Sequence, residues 1–390
     1  MCVNITVTIL TGFLGSGKTT LMNHILNDTT HGMKFAVIEN EFGEVGIDEK
    51  VLSENVDEEV IEVMNGCICC TVRGDLVEAL KKLYKRVSSF NGVLIETTGL
   101  ADPAPVVQTF FVDEDIKKMY KLDSVVTVVD AKYIIQRLNE KKPEGVENEA
   151  VEQIAFADKV LLNKVDLAKD EAELKNIEKE IKTLNPSATI LRTEYGKLDP
   201  KEVLNINAFD LDRILDFEPD FLEDDGDHQH DTTVSSVAVK VQANVNMAIL
   251  ESWIQRLIGQ DGANLYRYKG VLAVKGMNKK FVFQGVGMLF TGDFQGEWKE
   301  PENERESRFV FIGKNLDHEF LREGFMACRA SDTLRFPVGA TIEANVGGFV
   351  KGIVLKHWDE GNAYRIELQD GRKTNVWAPV DVDGYIRAPK

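Results

Sequence analysis

The chain has 390 residues, with 43% hydrophobic and 28% charged positions, which excludes a disordered chain and points to two or three globular domains. Sixty-four acidic residues against 46 basic ones give a formal net charge of −18, which argues against a broad nucleic-acid or anionic-membrane surface. Five cysteines, three of them crowded at Cys67, Cys69 and Cys70, are no disulfide framework and suit a reducing, cytoplasmic setting.

The first ~200 residues alternate short apolar runs with helix-like segments. The runs are Ile5–Leu10, Phe35–Ile38, Val60–Val63, Val93–Ile95, Ser124–Val129, Val160–Leu162 and Thr189–Leu191; between them, Thr19–Leu26, Asp75–Tyr84 and Asp170–Leu184 carry helical spacing. Runs apolar on both faces are what a parallel sheet buried between helices requires, so the pattern predicts a doubly wound α/β domain over residues 1–215. Residues 216–233 read as an acidic linker: eight acidic residues and two histidines, His228 and His230, stand within 216–231 with no basic residue. A smaller α+β pattern follows over 234–330: a strand at Val234–Val241, a helix at Ala248–Ile258, strands around Tyr266–Val274, Lys280–Phe290 and Arg308–Ile312, and a helix at Leu316–Cys328. Residues 331–390 read as short strands punctuated by glycine, a small β-barrel-like appendix of SH3 or Tudor type. The N-terminus shows no secretory signal or transit-peptide pattern, and no apolar run is long enough to cross a membrane.

Gly12-Phe13-Leu14-Gly15-Ser16-Gly17-Lys18-Thr19 fits GxxxxGK[ST] between the first strand and the first helix. Gly12, Gly15 and Gly17 let backbone N–H groups of the loop, Ser16 and Thr20 included, approach phosphates; Lys18 is expected to reach the β- and γ-phosphates and the Thr19 hydroxyl to ligate Mg²⁺. Asn163-Lys164-Val165-Asp166 follows a late strand and has the NKxD form. A carboxylate at Asp166 accepts both the N1–H and N2–H of guanine, the Lys164 stem covers the base, and Asn163 bonds N7, so the expected nucleotide is GTP. Glu96 ends a strand three positions before Gly99: the acid suits the Mg²⁺ shell, and the Gly99 N–H the γ-phosphate.

Cys67, Cys69 and Cys70 offer three soft donors to one metal ion and leave a fourth position for an exchanging ligand, as a transfer site needs. From the residues alone a redox pair, Cys67 with Cys70, or inert buried thiols stay open, and affinity does not separate zinc from copper, nickel or cobalt. The two linker histidines read better as part of a solvated linker than as a zinc collector, and His24, His31, His318 and His357 as structural.

With these segments in view the chain resembles the CobW-type GTPases of the SIMIBI P-loop class, and within them the eukaryotic zinc-regulated GTPase metalloprotein activators. The matching segments are GFLGSGKTT (12–20), IENEFGEVGID (38–48), GCICC (66–70), IETTGLADP (95–103) and NKVD (163–166). The likeness continues through HDTTVSSV (230–237), LYRYKGVLAV (265–274), VFQGVGMLF (282–290) and SRFVFIGKNLD (307–317), roughly residues 4–330. It implies a GTPase domain followed by a CobW C-terminal domain, Zn²⁺ held by Cys67, Cys69 and Cys70, and delivery to an apo-metalloprotein client coupled to GTP hydrolysis. It also implies acids at Glu39 and Glu44 as candidates for positioning the attacking water, and a monomer or a nucleotide-dependent dimer. A methionine aminopeptidase fits this class of client, but the CPELVPI-type docking segment of the eukaryotic members is absent ahead of the first strand, where the chain reads MCVNITV. Two other readings are weighed beside the metallochaperone: a nucleotide-gated zinc store or sensor without directed transfer, and a P-loop kinase or ATPase with redox-active cysteines, against which Asn163–Asp166 argues.

Overall fold

A computed structural model of the chain describes residues 5–39, 72–86, 90–143, 148–215 and 234–389. The run Val60–Val63, Glu44, the three clustered cysteines and the acidic stretch 216–233 lie outside the described residues. The described residues fall into two compact units. The first holds residues 5–213 with the short pieces 234–236 and 312–315; the second holds 214–215, 237–311 and 316–389.

Among the described residues the first unit has a six-stranded, all-parallel sheet. Its strands are β1 (Ile5–Thr11), β2 (Phe35–Glu39), β3 (Gly92–Glu96), β4 (Tyr120–Asp130), β5 (Lys159–Asn163) and β6 (Thr189–Thr193), in the order β2-β3-β1-β4-β5-β6. Among the described residues eight helices accompany them: α1 (Lys18–Asn27), α2 (Val72–Tyr84), α3 (Ala104–Val112), α4 (Glu114–Met119), α5 (Ile134–Leu138), α6 (Glu149–Ala155), α7 (Glu171–Leu184) and α8 (Leu211–Ile214). β1, β3 and β4 are buried almost throughout, which is why they read as continuous apolar runs rather than alternating ones. On one face Leu10, Leu94, Val126 and Leu161 pack against Leu21, Met22 and Ile25 of α1. Because β1 is central and its neighbours β3 and β4 come from opposite directions of winding, the loop after β1 opens at the carboxyl ends of the strands where the strand order reverses. Open α/β sheets bind ligands there.

The second unit holds most of one antiparallel sheet and the whole of another. In the first, β7 (Val234–Val241), β9 (Leu265–Val274), β10 (Lys279–Val286), β11 (Leu289–Glu297) and β12 (Ser307–Lys314) run in the order β11-β10-β9-β12-β7, and the short β8 (Asn244–Val245) pairs with β9. Two helices belong to this sheet: α9 (Met247–Asp261), capped by the Asn246 side chain, and α10 (His318–Met326), capped by Asp317. Trp253 of α9 and Phe325 of α10 bury with Tyr268, Phe283, Phe309 and Phe311. The single run expected at Lys280–Phe290 is in fact two strands of a hairpin. Val286 pairs with Leu289 across the two-residue turn Gly287-Met288, and Gly287 takes φ 59, the left-handed conformation such a turn asks of glycine. The last residues form a five-stranded antiparallel sheet of β13 (Thr341–Asn345), β14 (Phe349–Asp359), β15 (Asn362–Leu368), β16 (Asn375–Ala378) and β17 (Ile386–Arg387), in the order β16-β15-β14-β13-β17. Its core is Ile342, Val354, Tyr364, Ile366 and Ile386. It is joined to the rest of its unit by Asn246 Nδ2 donating to Pro379 O at 2.8 Å and Lys275 pairing with Asp332 at 3.2 Å.

Candidate functional site

The loop from Gly12 to Gly17 owes its shape to three glycines. Gly12, Gly15 and Gly17 take φ 140, 77 and 109, a region that side chains strain to enter. Space forbids a side chain at two of them as well: a Cβ on Gly12 would run into the Val128 carbonyl oxygen, and one on Gly17 into Asn163 Nδ2. Gly17 caps α1 without a side-chain hydrogen bond, and the first turn of α1 holds no acidic residue. The N–H groups at the start of α1 therefore present a positive dipole end with no acidic residue in their own turn. Lys18 is buried, its Nζ donating to Gly12 O at 2.9 Å and Phe13 O at 3.4 Å. The Ser16 hydroxyl is buried and has no hydrogen-bond partner among the described residues, which costs free energy until a ligand supplies one. This loop fits a polyphosphate.

Beside the loop, Thr19 Oγ1 donates to Glu96 Oε1 at 2.9 Å. Glu96 ends β3 and is buried; Thr97 N donates to Leu10 O at 2.9 Å and so fixes the two strand ends together. A hydroxyl and a carboxylate held side by side are the hard oxygen donors that Mg²⁺ takes. In the β2–β3 register Glu39 stands opposite Glu96, so the chain leaves for residues 40–71 from a strand end next to this pair. Gly99 lies against the loop: a Cβ there would come 2.5 Å from Leu14 N. The segment is held from behind by the buried Gln153 of α6, whose Nε2 donates to Gly99 O and Ala101 O at 3.2 Å each.

The NKxD segment closes the other side. Asn163 is buried, and its amide is shared among the surrounding loops: Nδ2 donates to Ser16 O at 2.9 Å, and Oδ1 accepts from Thr193 Oγ1 at 3.1 Å and from Gly196 N at 3.0 Å. In this arrangement the side chain braces three segments. Lys164 adopts φ 61 and returns over the loop, its Nζ donating to Gly15 O and to Asp130 Oδ2, both at 2.7 Å. Asp166 and Thr20 are exposed, and Asp166 sits in the one-turn helix Val165–Leu167. A cavity of ≈ 50 Å³ adjoins the loop, lined by Phe13, Leu14, Asp130, Tyr133 and Arg137 among others, with the Arg137 guanidinium 4.3 Å above the Phe13 ring.

The structure thus brings Gly12–Thr19, Glu39, Glu96, Gly99 and Asn163–Lys164 to one edge of one sheet. Glu44, Cys67, Cys69 and Cys70 fall outside the described residues, and among the described residues no group of three or more His, Cys, Asp or Glu is placed to hold a metal ion. Cys328 is a different kind of cysteine: buried, with Sγ donating to Gly324 O at 3.2 Å and burial pushing its thiol up to about 12. A thiol so placed is neither nucleophile nor ready ligand at neutral pH. His24, His31 and His357 each bond a backbone carbonyl. Sequence reading missed Asp130, Thr193, Gly196 and Gln153, which order the site; the apolar-strand-then-Asp pattern Val128-Val129-Asp130 was the one signal available for the first of them.

Comparison with known proteins places these features in a family. Residues 6–192 match the CobW/HypB/UreG nucleotide-binding domain, and residues 234–329 match the cobalamin synthesis protein cobW C-terminal domain. The chain is 35% identical over 330 residues to the zinc chaperone YjiA of Escherichia coli K12, an alignment covering 83% of this chain and 99% of that one. It is 33% identical over 373 residues to the zinc-regulated GTPase metalloprotein activator 1 of Dictyostelium discoideum, covering 81% and 78%. A crystal structure of Zn(II)-bound YjiA GTPase from E. coli superposes with a TM-score of 0.68 at 33% identity, over 84% of this chain and 99% of that one. With its nucleotide-binding domain followed by the CobW C-terminal domain, the chain belongs to the CobW/HypB/UreG family.

Proposed function

We propose that this chain is a GTP-hydrolysing metallochaperone that holds zinc at Cys67, Cys69 and Cys70 and passes it to a client apo-metalloprotein. The observation that carries this reading is the pairing of Glu39 with Glu96 at adjacent strand ends. The segment containing the three cysteines begins directly after Glu39, next to the Thr19–Glu96 pair that sits at the phosphate loop. A change at the nucleotide's terminal phosphate is thereby a change at the root of the metal-binding segment. The names of the relatives, a zinc chaperone and a zinc-regulated GTPase metalloprotein activator, support the same reading.

The residues divide the work. The backbone of Gly12–Thr20 wraps the phosphates, and Ser16 Oγ gains the partner it lacks among the described residues. Lys18 trades its carbonyl partners for the β- and γ-phosphate oxygens. Thr19 and Glu96 would hold Mg²⁺, which when bound neutralises the charge that develops on the phosphates. Gly99 offers its N–H to the γ-phosphate. Glu39 and Glu44 are the acids that would orient the attacking water. Asp166, exposed beside the loop, reads the guanine N1–H and N2–H while the Lys164 stem covers the base; Asn163 holds the loops that present both. Three thiolates are soft donors that suit zinc and leave one coordination position for transfer.

Residues 1–215 would carry the nucleotide chemistry, 216–233 link, 234–330 form the CobW C-terminal domain, and 331–390 append the last small sheet. No helix among the described residues is long and apolar enough to cross a membrane, and the thiol-rich site suits the reducing cytoplasm. A client that is itself a zinc enzyme, and a protein that is monomeric or dimerises with nucleotide, complete the reading. The test is linkage. Zinc affinity is measured by chelator competition with GDP and with a non-hydrolysable GTP analogue bound. A tighter site in one state is expected, with a coupling of about 1–3 kcal/mol and the same factor recovered for nucleotide when zinc is varied. Equal zinc affinity in both states would refute it.

A further inference from the structure

We propose that Asp130 is a positioning residue for guanine nucleotide binding, acting through Lys164 to clasp the base loop to the phosphate loop; this rests on the GTPase reading above. The sheet sets the pair up. β4 and β5 run parallel with Asp130 opposite Asn163, and Ala131 N donates to Asn163 O at 2.9 Å, so the two strand ends leave the sheet together. The next residue, Lys164, turns at φ 61, and its side chain comes back across the strand ends. Its ammonium meets Asp130 Oδ2 at 2.7 Å and Gly15 O at 2.7 Å. Asp130 is itself held, because its other oxygen accepts from Lys132 N at 2.9 Å. The carboxylate is 14% exposed and the lysine side chain 32%, so this pair is screened less than a surface ion pair.

The chemistry of the site gives the carboxylate its purpose. A lysine next to a polyphosphate follows the nearest negative charge, and a Lys164 drawn to the phosphates would leave the base loop open. Asp130 supplies a fixed anion on the far side. It neutralises the ammonium and keeps the aliphatic stem where a base would lie, and two of the three N–H groups are spent tying Asp130 to Gly15. Base recognition and phosphate binding then become one rigid arrangement, and the cost of ordering two loops is met before the ligand arrives.

Dissociation of a fluorescent GDP, followed by stopped flow on the full chain, tests this with Asp130→Asn, Asp130→Glu, Lys164→Met and the double variant Asp130→Asn/Lys164→Met. Loss of a charge-assisted hydrogen bond of this kind should speed release by about tenfold to a hundredfold in Asp130→Asn and in Lys164→Met. The double variant should release no faster than Lys164→Met alone, because one contact is lost only once, and Asp130→Glu should recover part of the wild-type rate. Lys164→Met interrogates the contact from its other end, so a variant that fails to fold leaves its counterpart to decide. Wild-type release from Asp130→Asn, or effects that multiply in the double variant, would overturn the clasp while leaving the GTPase reading intact. A wild-type chain that binds no guanine nucleotide would overturn that reading and the clasp with it.

Discussion

Replacing Asn163 by Ala separates a bracing role from a ligand role. The amide makes three hydrogen bonds inside the first unit, to Ser16 O, Thr193 Oγ1 and Gly196 N. At about 1 kcal/mol net for each bond the substitution costs about 3 kcal/mol, and more where the buried partners stay unsatisfied. For a unit of roughly 200 residues a loss of 1 kcal/mol lowers the melting temperature by about 2–4 °C, so the drop should be about 6–12 °C. The assay is thermal unfolding without nucleotide, where a contact to guanine N7 contributes nothing. Asn163→Asp sharpens it: the carboxylate still accepts from Thr193 and Gly196, but its second oxygen faces Ser16 O, acceptor against acceptor at the 2.9 Å the amide now spans. Both variants should melt early without ligand. A nucleotide-free Asn163→Ala that melts with the wild type, yet binds GTP weakly, would refute the bracing account and return Asn163 to the base.

Gly99→Ala should weaken GTP binding about tenfold or more with little change in fold, because the new methyl group would stand 2.5 Å from Leu14 N and the phosphate loop would have to yield; isothermal titration with GTP and GDP checks it, and unchanged affinity would contradict the packing. Asp123, whose carboxylate accepts from Asn207 N at 2.7 Å and Thr8 Oγ1 at 3.3 Å, has its pKa raised chiefly by burial. The folded state therefore keeps a proton that the unfolded chain has released, and stability falls as pH climbs from the ordinary carboxyl range of about 4 through the raised value. Asp123→Asn removes that loss, so its melting temperature relative to wild type should be higher at pH 7 than at pH 4; a difference that does not change with pH would contradict it.

The phosphate loop was legible because its function is written locally: three glycines and a lysine within eight positions, between a strand and a helix. The parallel sheet was legible because burial on both faces leaves unbroken Val and Ile runs. What the sequence hid was non-local or locally ambiguous. The partners of Asn163 lie 30 and 33 residues away, at Thr193 and Gly196, so the NKxD pattern suggested a ligand contact and not a brace. That Glu39 stands beside Glu96 depends on strand order, since β3 inserts between β1 and β2. The hairpin at Gly287-Met288 was hidden because its turn is as apolar as its strands. Helix α3 escaped for a related reason: Ala104–Val112 is apolar on most sides and rich in valine, so it shows neither helical nor strand periodicity.

Zinc transfer under nucleotide control tests the central claim most directly. Zinc-loaded protein is mixed with a chromogenic zinc-dependent apo-enzyme, in a chelator-buffered solution, with GTP, a non-hydrolysable GTP analogue or GDP. Reactivation that runs with GTP, stops with the analogue, and disappears in Lys18→Ala and in the triple replacement of Cys67, Cys69 and Cys70 by Ser is the result the account predicts. Reactivation at the same rate with GTP and with the analogue would contradict it.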